Sequence, residues 1–209
     1  MTIGAFKGII FDCDGVLFDS HPANLAYYNT VLGKLGAPLV TPDNHQQAQL
    51  CHTACSRDVF TCLLGEEWVD EALTIAGSLD YRQFIDYLEP FEGMLEMLPQ
   101  LASRYPLALA TNRTASVSLL LEHFSIRNCF QCIVTSSDVE KPKPSPQMLH
   151  LAARQLGFQE NHLLFVGDAV SDQQAAVSAG CRFVAFGTGL DDCSRFSNWS
   201  EFSCWLPAC

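Results

Sequence analysis

Five short, mostly apolar runs recur along the chain and are separated by longer segments. The runs cover residues 7–11, 107–110, 132–135, 163–166 and 182–186. Runs this short and this apolar are typical of strands buried on both faces of a parallel sheet. One helical segment, residues 93–103, precedes the second run, and the segments between the later runs cover residues 114–124, 146–156 and 172–179. This alternation predicts an α/β fold with a Rossmann-like open parallel sheet and right-handed crossovers.

The gap between the first and second runs is too long for a simple crossover. About 70 residues separate Ser20 from Phe91, with helical patterning and no clear strand. A connection of that length usually has a structure of its own. We therefore predict a small all-helical cap at residues 20–91, inserted into a core formed by residues 1–19 and 92–209.

The net charge of the chain argues against one class of binding partner, the nucleic acids. Its 209 residues include 12 Lys and Arg against 23 Asp and Glu, a formal charge of −11. Because such a chain repels a phosphate backbone, nucleic-acid binding through a basic surface is disfavoured. No run of apolar residues is long enough for us to expect a membrane span. The first residues lack the long apolar stretch of a secretion signal, so we expect none. We expect a cytoplasmic protein whose ten irregularly spaced cysteines are small apolar residues in a reducing compartment.

Polar residues with chemical potential follow four of the five predicted strands. They are Asp12 and Asp14, then Thr111 and Asn112, then Lys141, then Asp168 and Asp172. Because the carboxyl ends of parallel strands share one edge of a sheet, we expect these side chains to converge there.

This set of residue types favours a divalent cation and a phosphorylated ligand. Several carboxylates in one cleft repel each other unless a cation joins them. Oxygen ligands without a nearby His or Cys pair favour Mg²⁺. A metal, a lysine and a hydroxyl together can clamp a tetrahedral dianion, as phosphoryl transfer requires. At Gly15, a turn would let backbone N–H groups face phosphate oxygens.

In this order, the segments DCDGVLFDS, ATN, KPKP and GDAVSD resemble the four motifs of the haloacid dehalogenase-like hydrolase superfamily. The first is highly specific and the fourth fairly specific, whereas the middle two are weak alone. LEPFEGMLEML, before the second strand, is similar to the segment that leaves the cap in the phosphoglycolate phosphatase-like branch. The position of the predicted cap is also similar to that branch, so the resemblance covers the whole chain.

The resemblance implies roles for the residues of the first two motifs. Asp12 would be the nucleophile that forms an aspartyl-phosphate and would also bind the metal. Asp14 would protonate the leaving alcohol and then activate water, and its backbone carbonyl would ligate the metal. Thr111 would donate a hydrogen bond to a phosphoryl oxygen.

The third and fourth motifs would supply a cation and further metal ligands. Lys141 would hold the nucleophile and the transferring phosphoryl group. Lys143 competes for that role, but the pattern K-P-x-P-x-P begins at Lys141. By the same resemblance, Asp168 would ligate Mg²⁺ directly. Asp172 would act through water or orient the loop, and it could also cap the following helix.

Four further residues are candidates for binding the substrate. The turn at Gly15 and the backbone at Asn112 would lie near the phosphoryl group. Arg113 follows directly and could approach the phosphate. Arg57, in a cap loop, could bind an anionic group of the substrate, although a surface or ion-paired arginine is the alternative reading.

The leading hypothesis is a Mg²⁺-dependent phosphatase that acts on a small phosphomonoester metabolite. The alternative enzyme is a sugar phosphomutase of the β-phosphoglucomutase type, which would share the core and differ in the cap. A non-catalytic binding protein that keeps the fold is a third hypothesis from another class. The sequence indicates no oligomeric state.

Overall fold

The apolar runs form strands, and most intervening segments form helices. The computed structural model describes residues 5–114, 116–187, 190 and 193–205. The strands are β1 (Gly8–Phe11), β2 (Phe18–Asp19), β3 (Glu89–Pro90), β4 (Leu107–Thr111), β5 (Cys132–Thr135), β6 (Leu163–Gly167), β7 (Arg182–Phe186) and β8 (Arg195–Phe196). The α-helices are α1 (His21–Lys34), α2 (His45–Thr53), α3 (Ser56–Leu64), α4 (Val69–Ser78), α5 (Arg82–Ile85), α6 (Met94–Ala102), α7 (Ser116–His123), α8 (Gln147–Leu156), α9 (Val170–Ala179) and α10 (Trp199–Trp205). Short 3₁₀ turns cover Glu66–Trp68, Arg127–Cys129, Ser136–Asp138 and Glu160–His162.

Six strands form one sheet in the order β5-β4-β1-β6-β7-β8, and every pair is parallel. The predicted α/β fold is therefore confirmed. β1 lies between β4 and β6, with Phe11 opposite Leu109 on one side and Val166 on the other. This register brings the loops that follow β1, β4 and β6 to the same edge of the sheet.

Helix α8 packs on one face of the sheet and shields it from water. Its buried residues recur at the spacing of one helical face, and they pack with residues of the sheet and of α9. The buried helical residues are Met148, Leu149, Ala152, Ala153 and Leu156. The sequence did not predict β8 or α10. The buried Trp199 and Phe202 of α10 pack against Phe11 of β1.

The described chain divides into two compact units. One contains the residues up to Phe18 and those from Pro90 onward, including the six-stranded sheet. The other, Asp19–Glu89, contains helices α1–α5. Its core is a cluster of buried side chains, including Tyr28, Val31 and Phe60.

Two smaller findings concern the cysteines and the helix lengths. Each of the nine cysteines in the described part of the chain is a free thiol. None of the described helices is both long and apolar enough to cross a bilayer.

Candidate active site

Three carboxylates meet at the carboxyl edge of the sheet. Asp12 directly follows β1, and its backbone N–H donates to the Val166 carbonyl at 2.9 Å. Asp168 directly follows β6, and Asp172 lies in the first turn of α9. One carboxylate oxygen from each of the three residues lies within 4.8 Å of the others. The expected convergence of these three side chains is therefore found in the structure.

A buried lysine joins two of these carboxylates, and it is Lys143 rather than Lys141. The Lys143 Nζ atom lies 2.7 Å from Oδ1 of Asp12 and 2.7 Å from Oδ1 of Asp172. Only 2% of the Lys143 side chain is exposed. Lys141 is exposed, and its backbone N–H donates to Oε1 of Gln147 at 3.0 Å. The expectation that Lys141 holds the Asp12 carboxylate is thus not met.

Hydrogen bonds from the loop after β4 explain why Lys143, and not Lys141, lies among the carboxylates. The Asn112 side chain makes two hydrogen bonds with the backbone of Lys143, each of 3.2 Å: its amide donates to the carbonyl and its Oδ1 accepts from the N–H. These bonds tie the backbone of Lys143 to the end of β4 and leave its side chain among the carboxylates. Because the sequence repeats K-P at both positions, spacing alone did not distinguish the two lysines.

Burial and mutual repulsion change the proton affinities of this cluster. Burial raises the pKa of Asp12 well above its usual value, the Lys143 ammonium opposes the rise, and the neighbouring carboxylates add to it. Burial and the charge of Asp172 raise the pKa of Asp168 to about 7. Burial alone would lower the pKa of Lys143, but the carboxylates of Asp12 and Asp172 outweigh it and the pKa rises. The lysine is therefore held as a cation.

Asp172 orients the loop after β6. Its Oδ2 accepts the backbone N–H groups of Asp168 at 3.2 Å and of Ala169 at 3.1 Å. Helix α9 begins at Val170, two residues earlier than expected, so Asp172 is its third residue and Ala169 is the N-cap. The side chain thus fixes the loop that carries Asp168 while it also contacts Lys143.

Two glycines allow the close approach of backbone and carboxylate. Gly15 has a φ of 72°, in the left-handed region, and a Cβ there would overlap the Asp168 carboxylate. The Gly15 N–H donates to the Phe18 carbonyl at 2.9 Å, which closes the turn after β1. A Cβ at Gly167 would likewise overlap the Asp172 side chain.

The loop after β4 places Thr111 and Arg113 at the same edge. Thr111 is buried at the end of β4, and its Oγ1 accepts the Arg113 N–H at 3.1 Å. The Arg113 guanidinium pairs with the carboxylate of Asp14, with Nη2 at 2.6 Å from Oδ1 and Nε at 2.8 Å from Oδ2. Arg113 was expected near a phosphate, and the structure instead pairs it with a residue of the first motif.

The donor set fits a hard divalent cation. The clustered ligand atoms are carboxylate oxygens, and no His or Cys of the described part of the chain belongs to the cluster. Among the residues that the structure describes, Lys143 and Arg113 are the cationic side chains that pair with carboxylates of Asp12, Asp14 and Asp172, and Asp168 adds a fourth carboxylate nearby. When ionised, the cluster therefore carries an excess of negative charge that a Mg²⁺ ion would offset.

Arg57 belongs to the other compact unit, in helix α3. Its guanidinium lies 3.2 Å from a carboxylate oxygen of Asp70 and 3.8 Å from one of Glu66. About half of the side chain is exposed, so both ion pairs are weak surface contacts. Its predicted contact with substrate stays a prediction.

Trp199, which the sequence did not indicate as a site residue, contacts the turn that follows Asp12. The buried indole N–H of Trp199, in α10, donates to the carbonyl of Val16 at 3.2 Å. Val16 lies in the turn that carries Asp14 and Gly15, so the C-terminal helix braces that turn. The aromatic spacing of the C-terminal segment is a signal that could have indicated this helix.

Comparison with known proteins agrees with the fold and with these motifs. Residues 9–186 match the family model described as haloacid dehalogenase-like hydrolase. Two similar curated relatives are phosphoglycolate phosphatases. That of Chromobacterium violaceum is 29% identical over 93% of this chain and 90% of its own length. That of Salmonella typhi is 31% identical over 88% of this chain and 82% of its own.

A solved structure extends the same comparison to three dimensions. A haloacid dehalogenase-superfamily hydrolase of subfamily IA, variant 1, from Geobacter sulfurreducens has a TM-score of 0.87 and 35% identity. The similarity covers 97% of this chain and all of that protein's chain. The chain therefore belongs to the haloacid dehalogenase-like hydrolase family, in its phosphoglycolate phosphatase-like branch.

Proposed function

We propose that the protein is a Mg²⁺-dependent phosphatase that hydrolyses a small phosphomonoester through an aspartyl-phosphate on Asp12. The observation that carries this proposal is the buried Lys143 ammonium, which lies 2.7 Å from the carboxylates of both Asp12 and Asp172. Asp168 belongs to the same carboxylate cluster. A carboxylate is a weak nucleophile, and it attacks a phosphoryl group only where cations neutralise both reactants. The curated relatives named phosphoglycolate phosphatase support the same reaction class.

Mg²⁺ would be held by carboxylate oxygens of Asp12 and Asp168 and by the Asp14 carbonyl, with Asp172 fixing the loop. When bound, it would supply positive charge beside the phosphoryl oxygens. The Lys143 ammonium would contribute a second positive charge from the buried side, and Thr111 a hydroxyl donor. These groups would be in place before the substrate arrives, which reduces the reorganisation that the reaction requires.

The chemistry would proceed in two steps. An Asp12 carboxylate oxygen attacks phosphorus, and the bond to the alcohol oxygen breaks. Asp14, which must carry a proton when the attack begins, gives it to that oxygen. Asp14 then accepts a proton from water as the water oxygen attacks phosphorus, and inorganic phosphate leaves Asp12. The same carboxyl group thus serves as acid and then as base, and the enzyme returns to its starting state.

The direct test is release of inorganic phosphate from a panel of small phosphomonoesters in the presence of Mg²⁺. 2-Phosphoglycolate is the first compound to test, followed by hexose 1-phosphates and p-nitrophenyl phosphate. We expect phosphate release that the Asp12→Asn variant lacks. Conversion of a hexose 1-phosphate into its 6-phosphate would instead establish the mutase alternative. A folded protein without turnover on any of these compounds would support a binding role.

A further inference from the structure

The Asp14–Arg113 ion pair is a two-pronged contact between two loops. Both carboxylate oxygens of Asp14 accept N–H groups of the guanidinium, at 2.6 and 2.8 Å. The two residues are 99 positions apart in sequence and meet because β1 and β4 are neighbours in the sheet. Parallel N–H···O bonds of this kind fix the plane of a carboxylate as well as its distance.

Arg113 is the fixed member of this pair. Only 8% of its side chain is exposed, against 28% for Asp14. Its backbone N–H donates to Oγ1 of Thr111, and its carbonyl accepts the N–H of Ser136 at 3.2 Å. The backbone of Arg113 is therefore tied to the ends of both β4 and β5.

We propose that Arg113 is a positioning residue that holds the carboxyl group of Asp14 in the orientation needed for proton transfer. This inference rests on the phosphatase function proposed above, in which Asp14 exchanges a proton with the leaving alcohol and then with water. An aspartate in an open turn samples several rotamers, whereas the guanidinium fork selects one. The fork uses one lone pair on each carboxylate oxygen, and the remaining lone pairs stay able to exchange a proton.

The geometry distinguishes this role from simple attraction of the phosphate. A cation that only attracts a dianion can be replaced by another cation, because charge is all that it supplies. Holding the carboxylate plane requires the planar fork, which the point charge of a lysine does not provide. Arg113→Lys therefore separates the two roles, since it keeps the charge and removes the second prong.

The experiment compares Arg113→Lys and Arg113→Gln with the native enzyme on two substrates. One is an alkyl phosphate, whose alkoxide needs a proton to leave, and the other is p-nitrophenyl phosphate, whose phenolate leaves without one. The value of kcat/KM reports the steps up to phosphoryl transfer to Asp12, where the acid acts. We expect the kcat/KM of both variants to fall at least about tenfold further on the alkyl phosphate than on p-nitrophenyl phosphate. Asp14→Asn should show the same selectivity, and the exposed-site control Arg154→Gln should match the native enzyme.

A double variant supplies a second, independent readout. If Arg113 acts through Asp14, adding Arg113→Gln to the Asp14→Asn variant should lower kcat/KM for the alkyl phosphate little further. Equal losses on both substrates, or an Arg113→Lys variant that stays fully active, would overturn the inference. A native enzyme that cleaves neither substrate would instead refute the phosphatase function itself. Circular dichroism of each variant checks that the fold is retained.

Discussion

The Nζ atom of Lys143 lies 2.7 Å from Oδ1 of Asp12, and the side chains of both residues are almost completely enclosed by protein. A buried carboxylate without a cation is costly, and a cation in contact with it offsets part of that cost. The Lys143 ammonium thus opposes the rise in the pKa of Asp12 that burial causes, and it favours the ionised carboxylate that the proposed mechanism needs at the end of β1.

The two lysines of the K-P-K-P segment should differ sharply when each is changed to alanine. Lys143→Ala removes the cation between Asp12 and Asp172, so we expect kcat to fall by about 10²-fold or more. Lys141→Ala is the matched control, since that exposed side chain lies outside the cluster, and its kcat should stay within about twofold of native. Steady-state phosphate release measures both. A larger loss in Lys141→Ala than in Lys143→Ala would show that the wrong lysine has been assigned.

Removal and return of Mg²⁺ should change stability as well as turnover. EDTA should abolish phosphate release, and excess Mg²⁺ should restore it. Because a ligand that binds only the native state stabilises it, Mg²⁺ should also raise the Tm of the metal-free protein. The Asp168→Asn variant loses one charged ligand and should show a smaller rise. A Tm that is unchanged by Mg²⁺ in the native protein would contradict the metal assignment.

The metal-free protein should become less stable as the pH rises through neutrality. The pKa of Asp168 is about 7 in the folded state and that of Asp12 is also raised, above the ordinary values that both have when unfolded. At pH values between the unfolded-state and folded-state pKa values of these carboxyls, the folded state therefore holds more protons than the unfolded state. Its extra stability is present at acid pH and is lost as these carboxyls ionise.

Melting temperatures in EDTA from about pH 5 to pH 8 measure this effect. The native Tm should fall over that range, and Asp168→Asn should show a flatter profile. Mg²⁺ should raise the Tm more at the upper end, where the carboxylates are ionised. A metal-free Tm that rises steadily across this pH range would contradict the prediction.

Arg57 and Arg82 offer a matched pair for testing substrate recognition by the helical unit. Both are exposed arginines with local carboxylate partners, Asp70 for Arg57 and Asp80 for Arg82. If Arg57 binds an anionic group of the substrate, Arg57→Ala should raise KM for a carboxylate-bearing phosphate more than for a neutral one. Arg82→Ala should leave both KM values unchanged. Equal effects of Arg57→Ala on the two substrates would remove Arg57 from substrate recognition.

The sheet was largely predictable because its strands are short and apolar. The predicted bounds of β5 and β7 match the structure, and those of β1, β4 and β6 differ by one residue. β8 escaped prediction because a strand of two residues, Arg195–Phe196, carries no periodic signal.

The residues of the site were predictable from their positions after the strands, but their contacts were not. Asp12, Asp168 and Asp172 follow from topology, since parallel strands end at one edge. The assignment of Lys143 depends on hydrogen bonds from the Asn112 side chain, which lies 31 positions away. The pairing of Arg113 with Asp14 also depends on a contact between loops that no local pattern encodes.

Locating the phosphoryl group during turnover tests directly whether Asp12 is the nucleophile. The native enzyme is mixed with radiolabelled p-nitrophenyl phosphate and Mg²⁺, quenched in acid within one turnover, and digested for peptide mapping. We expect an acid-stable, alkali-labile phosphoryl group on Asp12 that is absent from the Asp12→Asn variant. Phosphate release by the native enzyme with the label on another residue, or full turnover by Asp12→Asn, would contradict this assignment.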